Sequence, residues 1–193
     1  MEASKLLDGT LRAAANNLRK ALDAYWPSEG RNEVQEATPL LSVAHAFRRR
    51  GFFTYGEVQV RNHRQQHVDL LAFSPSHKIA ICIEAKRLFS ARTVSSIADD
   101  WDRLEDVRLP REHTALPRGT ICFRAVVGTA WRADIADWWA NPGRMSPRWR
   151  HPDWARMAAA LRASHRGVQL LGRDPDWGVH SFLYAFRQRK SFA

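Results

Sequence analysis

Asp69, Glu84 and Lys86 are ionisable residues set into two apolar, β-like runs, His67-Val68-Asp69-Leu70-Leu71-Ala72-Phe73 and Ile79-Ala80-Ile81-Cys82-Ile83-Glu84-Ala85-Lys86. Burying three such side chains is unfavourable unless the charges pair or hold a metal ion, so their placement points to a working site. Two carboxylates offer hard oxygen donors suited to a divalent cation, Mg²⁺ or Mn²⁺. An ammonium beside them can orient or help deprotonate a water, or meet negative charge as it develops.

The elements that must position these residues are legible nearby. Residues 79 to 83 are an unbroken isoleucine-rich run, expected for a central strand covered on both faces. Ser74-Pro75-Ser76-His77 carries turn chemistry, which predicts a β-hairpin and, with the turn centred near Ser76, sets Asp69 almost opposite Glu84. Side chains at i and i+2 share a strand face, so Glu84 and Lys86 project together while Ala85 faces away. Upstream, Glu33, Glu36, Leu40, Val43, Ala44 and Phe47 follow helical spacing between residues 32 and 50, and Gly51 ends the pattern. Pro39 either kinks this helix or starts it with Thr38 as cap. Residues 52 to 60 read as a first strand.

This constellation resembles the PD-(D/E)XK nuclease superfamily, with its restriction-endonuclease-like fold. Asp69 matches the first motif acid, and Glu84-Ala85-Lys86 matches the E-x-K element. The match covers less than half of the chain, roughly residues 32 to 88, and Val68 stands where many members have proline. The resemblance implies phosphodiester hydrolysis, with Asp69 and Glu84 holding Mg²⁺ or Mn²⁺, the backbone carbonyl of Ala85 adding a ligand and Lys86 acting on the attacking water. It further implies a glutamate from the preceding helix, Glu36 as first choice and Glu33 as its rival. E-x-K by itself is a common tripeptide and usually a solvated salt bridge; the composite with a hairpin acid, an apolar strand and a preceding helix is far more specific. Acids also favour the first turn of a helix for electrostatic reasons alone.

Composition fits a polyanionic substrate. The chain of 193 residues has a formal net charge of +10 and a pI near 10.5, so it should be drawn to nucleic acid, DNA favoured, with affinity that weakens in salt. Arg48, Arg49, Arg50, Arg61, Arg64 and Arg87 surround the core elements, and Arg144-Met145-Ser146-Pro147-Arg148-Trp149-Arg150-His151 is an acid-free basic stretch whose Trp149 could stack on a base. Any single arginine is more simply a solvated surface residue. Cys82 and Cys122 sit in apolar runs and are expected as buried thiols, and His63 and His67 flank a loop-to-strand transition, not a ligand-bearing helix.

The expected architecture is one α/β domain over residues 1 to 193: a central mixed four- to five-stranded sheet flanked by helices, its core at about 32 to 128, with extra N- and C-terminal helices. Residues 4 to 25 form an amphipathic helix. Ser95 or Ser96 would cap a helix carrying Ile97, Trp101 and Leu104, which crosses to a strand at 121 to 127. Helices at 131 to 140 and 153 to 163 and late strands at 168 to 171 and 181 to 186 complete the chain. The eight tryptophans read mainly as packing residues, with a stacking platform the sharper alternative. No membrane-spanning run or signal peptide is apparent, so a cytoplasmic location is expected. A metal-dependent nuclease, most naturally a DNA endonuclease, is set against a noncatalytic nucleic-acid-binding or protein-interaction module of the same fold, or a nuclease toxin. Double-strand cleavage by a single-site domain leaves a homodimer open by analogy.

Overall fold

Alternation along the central strand decides the layering. In a computed structural model of the chain, which describes residues 2–25, 34–59, 67–88, 90–107, 116–144, 152–174 and 178–189, Ile79, Ile81, Ile83 and Ala85 pack on one side of the sheet and Ala80 and Cys82 on the other. The elements run α1 (Glu2–Ala24), α2 (Ala37–Arg48), β1 (Phe53–Gln59), β2 (His67–Ser74), β3 (Ile79–Arg87), α3 (Ala91–Asp106), β4 (Ile121–Ala130), α4 (Ala133–Ala140), α5 (Pro152–Arg162), β5 (His165–Asp174) and β6 (Gly178–Arg189). They form a six-stranded mixed sheet of order β1-β2-β3-β4-β6-β5, in which β3 and β4 alone are parallel and α3 makes the crossover between them. Helices α1 and α2 cover the face bearing Ile81 and Phe123, and α3, α4 and α5 cover the face bearing Cys82 and Val126.

The sheet is wider than the four to five strands expected. Apolar β4 is buried on both faces and needs a partner on its far edge; β6 supplies one from Ser181 to Arg189, and β5 pairs outside it. The late strands are therefore longer than the apolar runs at 168 to 171 and 181 to 186 suggest, because their ends carry polar residues at the sheet margin.

Two helix starts also differ from expectation. Helix α2 begins at Ala37, so Pro39 lies in its first turn, where the missing N–H has no helical partner to lose, and neither a kink nor a Thr38 cap arises. Helix α3 begins at Ala91, capped by Ser90, whose hydroxyl accepts from Thr93 N at 3.3 Å. Ser95 and Ser96 fall inside the helix, and the Ser95 hydroxyl donates to Asp153 of α5.

Trp138, Trp139 and Trp154 are core residues packed edge to face, with Trp139 Nε1 donating to Tyr184 O at 3.0 Å. They build no exposed stacking platform. Cys82 and Cys122 are buried and form no disulfide, as expected. Among the described residues no helix is long and apolar enough to cross a membrane.

Helix α1 is fastened by more than its apolar stripe of Leu7, Leu11, Ala14, Leu18 and Leu22. Asp8 accepts from the Tyr184 hydroxyl at 2.5 Å, meets His165 Nε2 at 2.8 Å and pairs with Arg12 at 2.8 Å. Gly167 lets the Tyr184 ring lie against β5, since a Cβ there would fall 2.3 Å from its hydroxyl. Burial alone would raise the Asp8 pKa, but the Tyr184, His165 and Arg12 donors outweigh it and hold the carboxyl below its usual range. A lowered folded-state pKa stabilises the protein above the unfolded value and loses that contribution as pH falls through the folded one. Asp8→Asn should therefore lower the urea midpoint near pH 6, and the gap to the parent protein should close as the pH is taken from about 4 to 2.

Candidate active site

The four-residue turn Pro75–Lys78 sets the register that brings the acids together. Its Ser74↔Ile79 closure pairs β2 with β3 as far as Leu70↔Ile83, and one step further along the same register Asp69 faces Glu84. The ladder opens at that step: Asp69 Oδ2 accepts the Ala85 N–H at 2.7 Å in place of a strand-to-strand bond. The other neighbour of Asp69 is irregular as well. Pairing of β1 with β2 skips Glu57 opposite Asp69, and Glu57 has φ of 50°, a left-handed conformation rare for residues other than glycine. Val68 and Leu70, which regular alternation would place on one face, pack on opposite sides of the sheet. Local irregularity of this kind re-aims a side chain, here Asp69.

Glu84 shares the α3 face with Ala80 and Cys82 and is only 2% exposed. Arg103 of α3 reaches it: the guanidinium donates to Glu84 Oε1 at 2.6 Å, to Asp100 Oδ1 at 2.9 Å and to the His67 carbonyl at 2.9 Å. Asp100 also pairs with Lys86 Nζ at 3.3 Å through its second oxygen. Glu36, at the N-cap of α2, caps no helical N–H with its side chain; its carboxylate instead accepts the Arg87 N–H at 3.1 Å. Across from Lys86, Gly128 admits close approach of β4, for a Cβ there would meet Lys86 O at 2.6 Å.

The electrostatics follow from this crowding. Burial, then the nearby Asp69 carboxylate, pushes the Glu84 pKa up to about 8 despite the Arg103 ion pair. For Lys86, burial works against the charged form, but Asp100, Asp69, Glu36 and Glu84 together outweigh it and raise the pKa. Glu36, Asp69, Glu84 and Lys86 thus share one field.

Of the residues expected from sequence, Asp69, Glu84, Lys86 and Glu36 are brought together. Ala85 contributes its N–H, to Asp69. Arg87 borders the cluster through its own N–H to Glu36. Arg50 is exposed and donates to Gly9 O of α1 at 3.3 Å, on the helical layer opposite α3. Glu33, Arg61, Arg64, Arg148, Trp149 and Arg150 lie outside the described residues. Asp100 and Arg103 join the cluster without being marked out by the sequence. Their only signal is an acid and an arginine at i and i+3, flanking the apolar stripe of Ile97, Trp101 and Leu104.

Among the described residues no three acidic, histidine or cysteine side chains stand close enough to surround a metal ion. Asp69, Glu36 and Glu84 are each turned to a donor of the protein itself. The chemistry of the donor set nevertheless suits a divalent cation: Asp69 and Glu84, on adjacent strands, both offer hard oxygen, and burial together with the neighbouring Asp69 charge leaves Glu84 short of a compensating cation. Comparisons with protein-family models, with curated proteins and with solved structures returned no match.

Because the folded-state pKa of Glu84 lies above the usual value of 4.5, its contribution to stability is present below that value and is lost as pH rises through about 8. In metal-free buffer the unfolding free energy should fall across that window, and Glu84→Gln should flatten the fall. Arg103→Met, which strands Glu84 beside Asp69 without its cation, should carry the fall on to higher pH. Urea titrations at half-unit pH steps would check both.

Proposed function

We propose that this protein is a metal-dependent nuclease of the PD-(D/E)XK type that hydrolyses phosphodiester bonds of nucleic acid, DNA favoured. The observation that carries this reading is the meeting of Asp69, Glu84 and Lys86, with Glu36 beside them, where the β2–β3 ladder opens. The order of one helix, three antiparallel strands, a crossover helix and a parallel strand is the frame the resemblance implies. The surplus of 30 lysines and arginines over 20 acids favours a polyanionic substrate.

Asp69 and Glu84 would hold Mg²⁺ or Mn²⁺, with Glu36 next to them. When bound, the ion supplies Lewis acidity toward a phosphate oxygen and lowers the pKa of a coordinated water. The Ala85 N–H fixes one oxygen of Asp69 and leaves the other to bind. Glu84 must give up its proton and loosen its grip on Arg103 before it can act as a ligand. Asp100 holds the Lys86 ammonium beside the acids, where it orients the water or neutralises charge on the phosphate. Arg103, released from Glu84, keeps Asp100 as partner and presents a planar cation to the same space.

A second reading, a noncatalytic nucleic-acid-binding or protein-interaction module, is favoured by the Arg103–Glu84 pair, which fills with a guanidinium the place a cation would take. The discriminating experiment incubates plasmid, linear duplex, single-stranded DNA and RNA with Mg²⁺, Mn²⁺ or EDTA. Metal-dependent cleavage is expected, rising with pH as Glu84 ionises, and falling by about 100-fold or more in Asp69→Ala and Lys86→Ala. Undiminished metal-dependent cleavage by Lys86→Ala would overturn the mechanism, and no metal-dependent cleavage of any substrate would leave the binding module.

A further inference from the structure

A second concentration of charge lies on the α3 side of the sheet, where β4 and β6 pass under the C-terminal turns of that helix. Arg124 of β4 stands directly across from Arg187 of β6, and Arg189 is two residues further along the same face. An open cleft of about 390 Å³ is lined by these three arginines, Glu105 and Gln188. Its volume is in the range of small-ligand clefts.

Part of this arrangement is structural. Arg124 donates to Trp101 O at 2.6 Å, pairs with Glu105 at 3.1 Å and lies 4.4 Å from the centre of the Trp101 ring; Arg189 donates to Leu104 O at 2.8 Å. Both thereby meet carbonyls near the end of α3, where the helix dipole favours cations. Anchoring accounts for neither of two further facts. Arg124 is 7% exposed, yet its Nε is buried with no hydrogen-bond partner. The side chain of Arg187 is exposed and makes no hydrogen bond or ion pair with any described residue, although it faces Arg124, and like charges directly opposite on paired strands repel. Burial first, with Arg187 and Arg189 adding repulsion, depresses the Arg124 pKa against the pull of Glu105 and Asp102.

We propose that this cleft is a phosphate-binding site, with Arg187 and Gln188 at its mouth and Arg124 and Arg189 on its floor. Three arginines against one glutamate match a dianion in charge, and guanidinium forks match its oxygens in geometry. The site is separate from the acid cluster and does not depend on the nuclease reading. The phosphate can come from a free anion or from a nucleic-acid backbone, and the two sources are separable by experiment.

Binding would be measured by calorimetry and thermal shift in EDTA, with inorganic phosphate in one arm and a ten-nucleotide single strand in the other. The parent protein should bind phosphate and gain melting temperature with it. Arg187→Gln should weaken phosphate binding by about tenfold while leaving the melting temperature in phosphate-free buffer unchanged. Lys20→Gln, which removes the same charge from the exposed face of α1, should bind as the parent does. If the phosphate belongs to a nucleic-acid chain, Arg187→Gln should also weaken oligonucleotide binding and lower its salt slope by about one; if that arm is unchanged, the cleft takes free phosphate. No phosphate binding by the parent, equal affinity in Arg187→Gln, or an equal loss in Lys20→Gln would each overturn the proposal.

Discussion

The carboxylate of Glu84, buried at the end of an otherwise apolar strand, is the constraint around which the rest of the molecule is arranged. A charge so placed must be neutralised by a proton or matched by a cation. Arg103 is the match the chain supplies, and it can be supplied only if α3 lies across β3 with residues 100 to 103 over the strand end. That position in turn requires α3 to leave β3 at Ser90 and return the chain to a strand parallel to β3. The crossover and the parallel pair put the helix there, and its buried Val94, Ile97, Trp101 and Leu104 hold it against the sheet.

The pairing does not restore an ordinary carboxylate. Arg103 lowers the Glu84 pKa, but desolvation and Asp69 raise it by more. The outcome is a carboxyl that holds a proton near neutrality even beside a guanidinium. Lys86 experiences the reverse: four nearby acids keep it charged in spite of burial. An acid poised to ionise beside an ammonium that stays charged is the separation of roles that general acid–base and electrostatic catalysis both use.

What could be read from sequence here is what local register determines. The hairpin, the facing of Asp69 and Glu84, and the projection of Lys86 beside Glu84 depend on a four-residue turn and a period of two, both visible in residues 67 to 86. Glu36 was legible as a residue leading its apolar stripe, although the helix starts after it and its carboxylate serves the Arg87 N–H. Asp100 and Arg103 were not legible, because on an isolated helix they are an ordinary i, i+3 surface pair. Only docking against β3 turns them inward. The last strand is legible at 181 to 186 but its full extent is not, for a similar reason: beyond Phe186 it continues through Arg187, Gln188 and Arg189, paired along the edge of β4.

Helix α3 therefore answers to two electrostatic demands within residues 100 to 105. Asp100 and Arg103 engage Glu84 and Lys86 at the end of β3, while Trp101, Leu104 and Glu105 engage Arg124 and Arg189 beneath the next turn. The two sets occupy alternating positions on one helix, so rotating it about its axis to improve one set would weaken the other. This mutual restraint adds to the bonds from Arg103 to Glu84, Asp100 and the His67 carbonyl in fixing the guanidinium. It also means that the charge on Glu84 and the arginines of β4 and β6 are not independent of each other, since both bear on the placement of the same six residues.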